Sequence, residues 1–114
     1  MADIDHYTYR CTWSAEDGQC VATCVEFPSL SWLSESAVEA MLGIRTLVAD
    51  VVADLLRSDE AVPEPLADRH YSGEFRVRIP PALHRALVLQ AAEQGVSLNR
   101  LASAKLASQL ALAI

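Results

Sequence analysis

With 114 residues, 52% of them hydrophobic, the chain has material for one domain or two small ones. Its formal charge of −6 is unevenly spread: residues 1–68 carry 3 Lys+Arg against 13 Asp+Glu, a balance of −10, while residues 69–114 carry 6 against 2, a balance of +4. That excludes a uniformly basic nucleic-acid binder and predicts two halves with different partners, phosphate for the basic end and a basic protein for the acidic end.

No apolar run approaches the roughly 20 residues that span a bilayer. The N-terminus, Met1-Ala2-Asp3-Ile4-Asp5-His6, is polar and acidic, unlike a signal peptide. The expected location is the cytoplasm, without a membrane partner. There the three cysteines, Cys11, Cys20 and Cys24, stay reduced.

Along the chain, Tyr7, Tyr9, Cys11 and Trp13 alternate with Thr8, Arg10 and Thr12, which predicts a strand with one bulky face. Ser14–Gly18 is a turn closed by Asp17-Gly18. Gln19–Glu26 is the return strand, ended by Phe27-Pro28, and Leu30–Leu33 forms a third, short strand. Ser36 with Glu39 makes a capping box, and a helix runs to about Arg57. Its expected apolar stripe is Val38, Met41, Leu42, Val48, Val51, Val52 and Leu55. Ser58–Asp68, with Pro63 and Pro65, cannot be regular helix and reads as a linker, with a domain boundary at about Leu66–Tyr71.

The stretch Ser72–Leu110 carries the most information. Phe75, Val77 and Ile79 fall on one face of a short strand, and Glu74, Arg76 and Arg78 on the other. Pro80-Pro81 ends it, and two short amphipathic helices follow, split by Gly95-Val96-Ser97. A lone strand with two helices has an unpaired edge and too little core to stand alone. A second copy solves both problems: two strands pair antiparallel above four interlocked helices, with Phe75, Val77 and Ile79 beneath. The resulting ribbon turns its arginines outward, a shape that fits the DNA major groove. Ser97 is the expected N-cap of the last helix, where it and Asn99 offer a phosphate seat.

The phrase SGEFRVRIPPALHRAL followed by GVSLNRLASAKL resembles the C-terminal half of HicB-type antitoxins, a ribbon-helix-helix DNA-binding domain. Tyr7 to Val25 with Phe27-Pro28-Ser29-Leu30, a helix, and then Pro63-Glu64-Pro65 is similar to the HicB N-terminal domain. The resemblance covers roughly Asp5 to Leu110. It implies an α+β chain: a partial RNase-H-like, toxin-binding domain over 5–66, an antiparallel sheet with one helix, and over 72–112 a ribbon-helix-helix domain that forms an intertwined dimer. The implied function is an antitoxin of a type II toxin-antitoxin pair. It would mask a small basic HicA-like toxin that cleaves mRNA, and repress its own operon. The implied partners are that toxin, palindromic operator DNA and a second copy of the chain, with tetramers left open. Glu74, Arg76, Arg78, Ser97 and Asn99 would face DNA, while Phe75, Val77 and Ile79 form the dimer core. The alternative is a solitary HicB-like regulator without a toxin.

An RNase-H-like fold raises the question of nuclease activity, which needs several carboxylates gathered around Mg²⁺. Only Glu26 lies near a strand end, Asp17 is a turn residue, and Asp50 and Asp54 fall on the solvent side of the helix. No enzymatic role, catalytic residue or cofactor is therefore expected. Cys20 and Cys24 share a strand face, and Cys11 lies on the neighbouring strand. With His6 these thiols could suggest zinc, but a flat strand face lacks the tight ligand pairs of structural zinc sites. They read as buried apolar thiols, and no metal is expected. Trp13 and Trp32 read as core or interface anchors rather than base-stacking platforms, and His84 has a structural role.

Overall fold

Alternation in the first half of the sequence is realised as an antiparallel meander with one helix laid across it. The computed structural model describes residues 3–110. After a 3₁₀ turn at Ile4–His6 come β1 (Tyr9–Ser14), β2 (Gln19–Cys24), β3 (Phe27–Ser34) and α1 (Ala37–Arg57), then α2 (Pro81–Gln94) and α3 (Leu98–Gln109). The protein is α+β, with one three-stranded sheet in the order β1-β2-β3 and three α-helices among the described residues. None of these helices is long and apolar enough to cross a membrane.

The β1–β2 register pairs Tyr9 with Cys24 and Cys11 with Ala22, so Tyr9, Cys11, Trp13, Cys20, Ala22 and Cys24 share the face toward α1. Cys20 and Cys24 are on one face, as their spacing predicts. The third strand is longer than expected: β2 already ends at Cys24, and Phe27-Pro28 begins β3 instead of ending the return strand. Two features permit this. β3 is an edge strand, where a proline's missing N–H costs no ladder bond. The ladder also skips, pairing Cys24 with Phe27 but Thr23 with Ser31, so the strand absorbs the proline in an irregularity.

Ser36 caps α1 by accepting a hydrogen bond from the Glu39 N–H. The core row of the helix is Ala40, Ile44, Val48 and Val52, packed against Tyr7, Ala22, Cys24 and Phe27. The Tyr7 and Phe27 rings meet edge to face at 5.2 Å. Of the expected stripe, Val48 and Val52 are buried, and Met41, Val51 and Leu55 pack against the core. Val38 and Leu42 do not: both are exposed. They sit about 120° around the helix from the row through Ile44 and Val48, which is too far to reach the sheet. The small Ala40 and the overlooked Ile44 take the centre because i, i+4 spacing aligns them with Val48 and Val52. On the other flank the Trp32 indole lies over Gly43, in the space an added Cβ would need.

Beyond α1 the backbone turns at Asp59, whose φ of 54° is left-handed, and the Glu60 N–H returns to the Leu55 carbonyl at 2.8 Å. The proline segment that follows is irregular, as predicted, but it is no free linker. Val62 packs on the core, and Pro65 is buried. The Tyr7 hydroxyl donates to the Pro63 carbonyl at 2.6 Å, and the Leu66 N–H donates to Glu26 at 3.0 Å. We call residues 58–72 the strap. The chain divides into two compact units, the first ending at Ser72 and the second starting at Gly73.

In the second unit, Pro81 opens α2 at a position where its missing N–H has no helical partner to lose. Gly95, at φ 69°, ends that helix in the left-handed conformation, and the Val96 N–H closes on the Ala91 carbonyl at 3.0 Å. Ser97 caps α3, accepting from the Arg100 N–H at 3.1 Å. Residues 111 and 112 of the expected domain lie outside the described residues.

Candidate functional site

The second unit holds the residues that sequence reasoning singled out for binding. Its helices bury only Ala91 and Leu101 among the described residues. Leu87, Val96, Leu98 and Ala102 are half-buried, and the larger apolar side chains otherwise face outward: Phe75 is 75% exposed, Val77 59% and Ile79 38%, and Leu83, Val88, Leu89, Leu106 and Leu110 are exposed as well. Phe75–Ile79 joins no sheet among the described residues, since β1, β2 and β3 form the only one there. A strand needs a ladder partner, and a single copy of this unit supplies none.

Phe75, Val77 and Ile79 nonetheless come together, lining one groove of about 730 Å³ with Leu87, Leu98 and Leu106. The period-2 alternation thus delivers three side chains to one wall. The opposite wall comes from α3, where Leu98, Ala102 and Leu106 recur at i, i+4 and i+8. Sequence reasoning did not single out these α3 residues for the groove, although their spacing is a legible signal. His84 and Asn99 border the same space, and so does Glu74, which alternation had grouped with the arginines.

Arg76 and Arg78 are exposed and take no part in lining the groove. Ser97 is exposed too, its side chain engaged in the cap. The expected DNA-facing set is therefore split: the arginines and Ser97 stand in solvent, while Glu74 and Asn99 border the groove.

In the first unit, three of the four acids considered for nuclease chemistry are engaged elsewhere. Glu26 accepts from the Thr8 N–H at 2.9 Å, the Thr8 hydroxyl at 3.2 Å and the Leu66 N–H at 3.0 Å. Burial pushes its carboxyl up, but these donors outweigh burial and hold its pKa below the ordinary value. Glu26 is thus a staple that ties β1 and the strap to the β2–β3 turn. Asp17 accepts from the Ser14 hydroxyl within the hairpin turn, and Asp54 pairs with Arg57. No group of three or more His, Cys, Asp or Glu is placed to hold a metal among the described residues.

A second fastening joins the strap to the N-terminal turn. His6 Nδ1 lies 2.8 Å from an Asp68 carboxylate oxygen. The hydrogen bond to Asp68, and then its charge, raise the His6 pKa above its ordinary value. Arg45, over the Tyr9 ring at 5.1 Å, pairs with Asp5. Burial pushes the Tyr9 hydroxyl up to about 12.

Comparison with known proteins gives one family. Residues 57–106 match the model of the HicB family. The matched stretch runs from the end of α1 through the strap and the Phe75–Ile79 segment into α3. No curated protein and no solved structure matches the chain.

Proposed function

The chain is of HicB type over residues 57–106, and from that premise we propose that it is the antitoxin of a type II toxin-antitoxin pair. Two copies pair through Phe75–Ile79 into a ribbon-helix-helix dimer. That dimer binds a palindromic operator upstream of its own operon and represses it. The acidic first unit, a partial RNase-H-like platform without catalysis, holds and masks a basic HicA-like ribonuclease.

One observation carries this reading. The second unit exposes a continuous apolar wall at Phe75, Val77 and Ile79 beside a groove of about 730 Å³. Burying such side chains is worth about 1.5–3 kcal/mol each, and a two-fold copy covers the wall of each protomer with that of the other. The same step completes the strand ladder and brings the Arg76 and Arg78 pairs together on the ribbon's outer face. The charge asymmetry supports the division of labour, with a basic second half for phosphate and an acidic first half for a basic protein.

Co-expression with the neighbouring reading frame, followed by pull-down and a gel shift on the upstream DNA, tests the proposal. The expected result is a stable complex with a small basic protein that retards its own upstream region. Retardation without any complex leaves a solitary HicB-like regulator. A complex that never retards that DNA removes the repressor.

A further inference from the structure

The first unit contains a groove of its own, of about 450 Å³, between the last turns of α1 and the strap. Its apolar floor is Val52, Leu56, Val62 and Pro65, and Glu60 and Glu64 stand over it. We propose that this groove seats an arginine or lysine of the toxin, together with an apolar neighbour, so that the strap is part of the neutralising surface. The inference rests on the antitoxin reading and gives it a location.

The floor invites an apolar occupant. Val52 and Pro65 are buried, yet Leu56, one residue from the end of α1, is 47% exposed over the groove. The rim fixes the occupant's charge. Glu60 and Glu64 are exposed and carry no ion pair among the described residues. The third carboxylate of the groove, Asp68, is already engaged by His6. Of the unit's own arginines, Arg45 pairs with Asp5, Arg57 pairs with Asp54, Arg69 lies over the Tyr71 ring at 5.9 Å, and Arg10 forms no ion pair among the described residues. None of the four is paired with Glu60 or Glu64, which leaves both carboxylates open to a cation from outside.

A long cationic side chain meets both demands, with its methylene stem on Leu56 and Val62 and its head at the carboxylates. Nucleic acid and anionic membranes carry the wrong sign for such a rim. The carboxylates are not gathered as metal ligands are.

The test is calorimetric titration of the full-length chain with the small basic protein from the neighbouring reading frame, at low and physiological salt. Glu60→Gln/Glu64→Gln should weaken binding about tenfold and flatten its salt dependence, and Leu56→Gln should weaken it about tenfold at either salt. A control, Glu16→Gln/Asp50→Asn, removes the same charge from exposed sites of the same unit and should stay within about twofold. All variants should melt with the parent. Should Leu56→Gln disturb the helix, the glutamate pair decides alone. Groove variants that bind like the parent, or a control that loses as much as they do, overturn the groove while leaving the antitoxin intact. A parent chain that does not bind the protein at all overturns both.

Discussion

At the residue scale, a few side chains do jobs their type alone would not suggest. Gly43 sits mid-helix, where glycine ordinarily costs about 1 kcal/mol relative to alanine. Here the Trp32 indole occupies the space a Cβ would need. Gly43→Ala should therefore lower the melting temperature, with overpacking costing about 1–3 kcal/mol. Trp32→Leu should recover the loss in the double variant. A Gly43→Ala chain that melts higher than the parent would show that the indole moves aside freely. Nothing in the sequence announced this contact, because it joins β3 to α1 across the fold. Glu26 shows the same limit. Its position near a strand end was legible, but its donors were not: they come from Thr8 and Leu66, 18 and 40 residues away.

Glu26 and His6 together set a pH window for the strap. The Glu26 pKa is depressed, so its share of stability is complete above the ordinary carboxyl value of 4.5 and is lost as pH falls through the lower folded value. The His6 pKa is raised, so its share is complete below the ordinary 6.5 and is lost as pH rises through the higher folded value. The strap should thus be held by both between these limits. Protection of the Leu66 amide, its exchange measured against the intrinsic rate at each pH, should fall on the acid side in the parent and be low throughout in Glu26→Gln. In His6→Gln, protection near Asp68 should lose its dependence on neutral-range pH. A parent profile flat from acid to mildly alkaline pH would sink the two-sided window.

At the element scale, the legible features were those that local chemistry decides. The Asp17-Gly18 turn, the Ser36 cap, the Gly95 stop and the Ser97 cap all formed where their residues dictate. The start of β3 did not, because tolerance of Pro28 depends on an edge position that only the sheet order defines. The α1 stripe failed at Val38 and Leu42 for a related reason: size misled where geometry decides, and small Ala40 took the place in the core expected of them, while the other five stripe residues pack as expected. The Phe75–Ile79 segment is the strongest case. Its alternation was plain in the sequence, yet one copy of the chain gives it no ladder. Val77→Asp puts a charge into the wall that the second copy should cover, and an unpaired buried charge costs several kcal/mol. The variant should be monomeric in light scattering, with its first unit still folded. A Val77→Asp chain that remains a folded dimer at high concentration would remove the ribbon from the assembly.

The outward face of that element makes a separate prediction. Arg76 and Arg78 lie two residues apart, so an antiparallel pair presents each twice about a two-fold axis. A base-edge arginine costs about 1–3 kcal/mol on removal and relaxes specificity at its position. Arg76→Ala/Arg78→Ala should lose operator binding while remaining dimeric and toxin-competent. In a gel-shift titration, operator retarded as well by this variant as by the parent would show that the reading head lies elsewhere.

At the scale of the whole molecule, charge and packing divide the chain in the same way. Residues 1–72, with 4 Lys+Arg against 13 Asp+Glu, form a unit with its own core, and residues 73–114, with 5 against 2, form a unit that buries only Ala91 and Leu101 among the described residues. The first unit should therefore fold alone, whereas the second should need a partner and show concentration-dependent stability. A fragment meant to retain toxin binding must keep the strap, because Pro63, Leu66 and Asp68 fasten it to Tyr7, Glu26 and His6, and the Tyr71 hydroxyl donates to the Leu66 carbonyl at 2.9 Å. Residues 1–72 should accordingly be monomeric, bind the basic toxin with an association rate that falls as salt rises, and leave operator DNA free. Cutting instead at residue 57 removes Glu60, Glu64, Val62 and Pro65, and should cost the Glu26 and His6 fastenings along with the toxin. Comparing the two fragments by melting and by titration separates loss of the strap from loss of the second unit. If residues 1–57 bound the toxin as tightly as residues 1–72, the strap would be a passive connector, and the neutralising surface would lie on the sheet and α1.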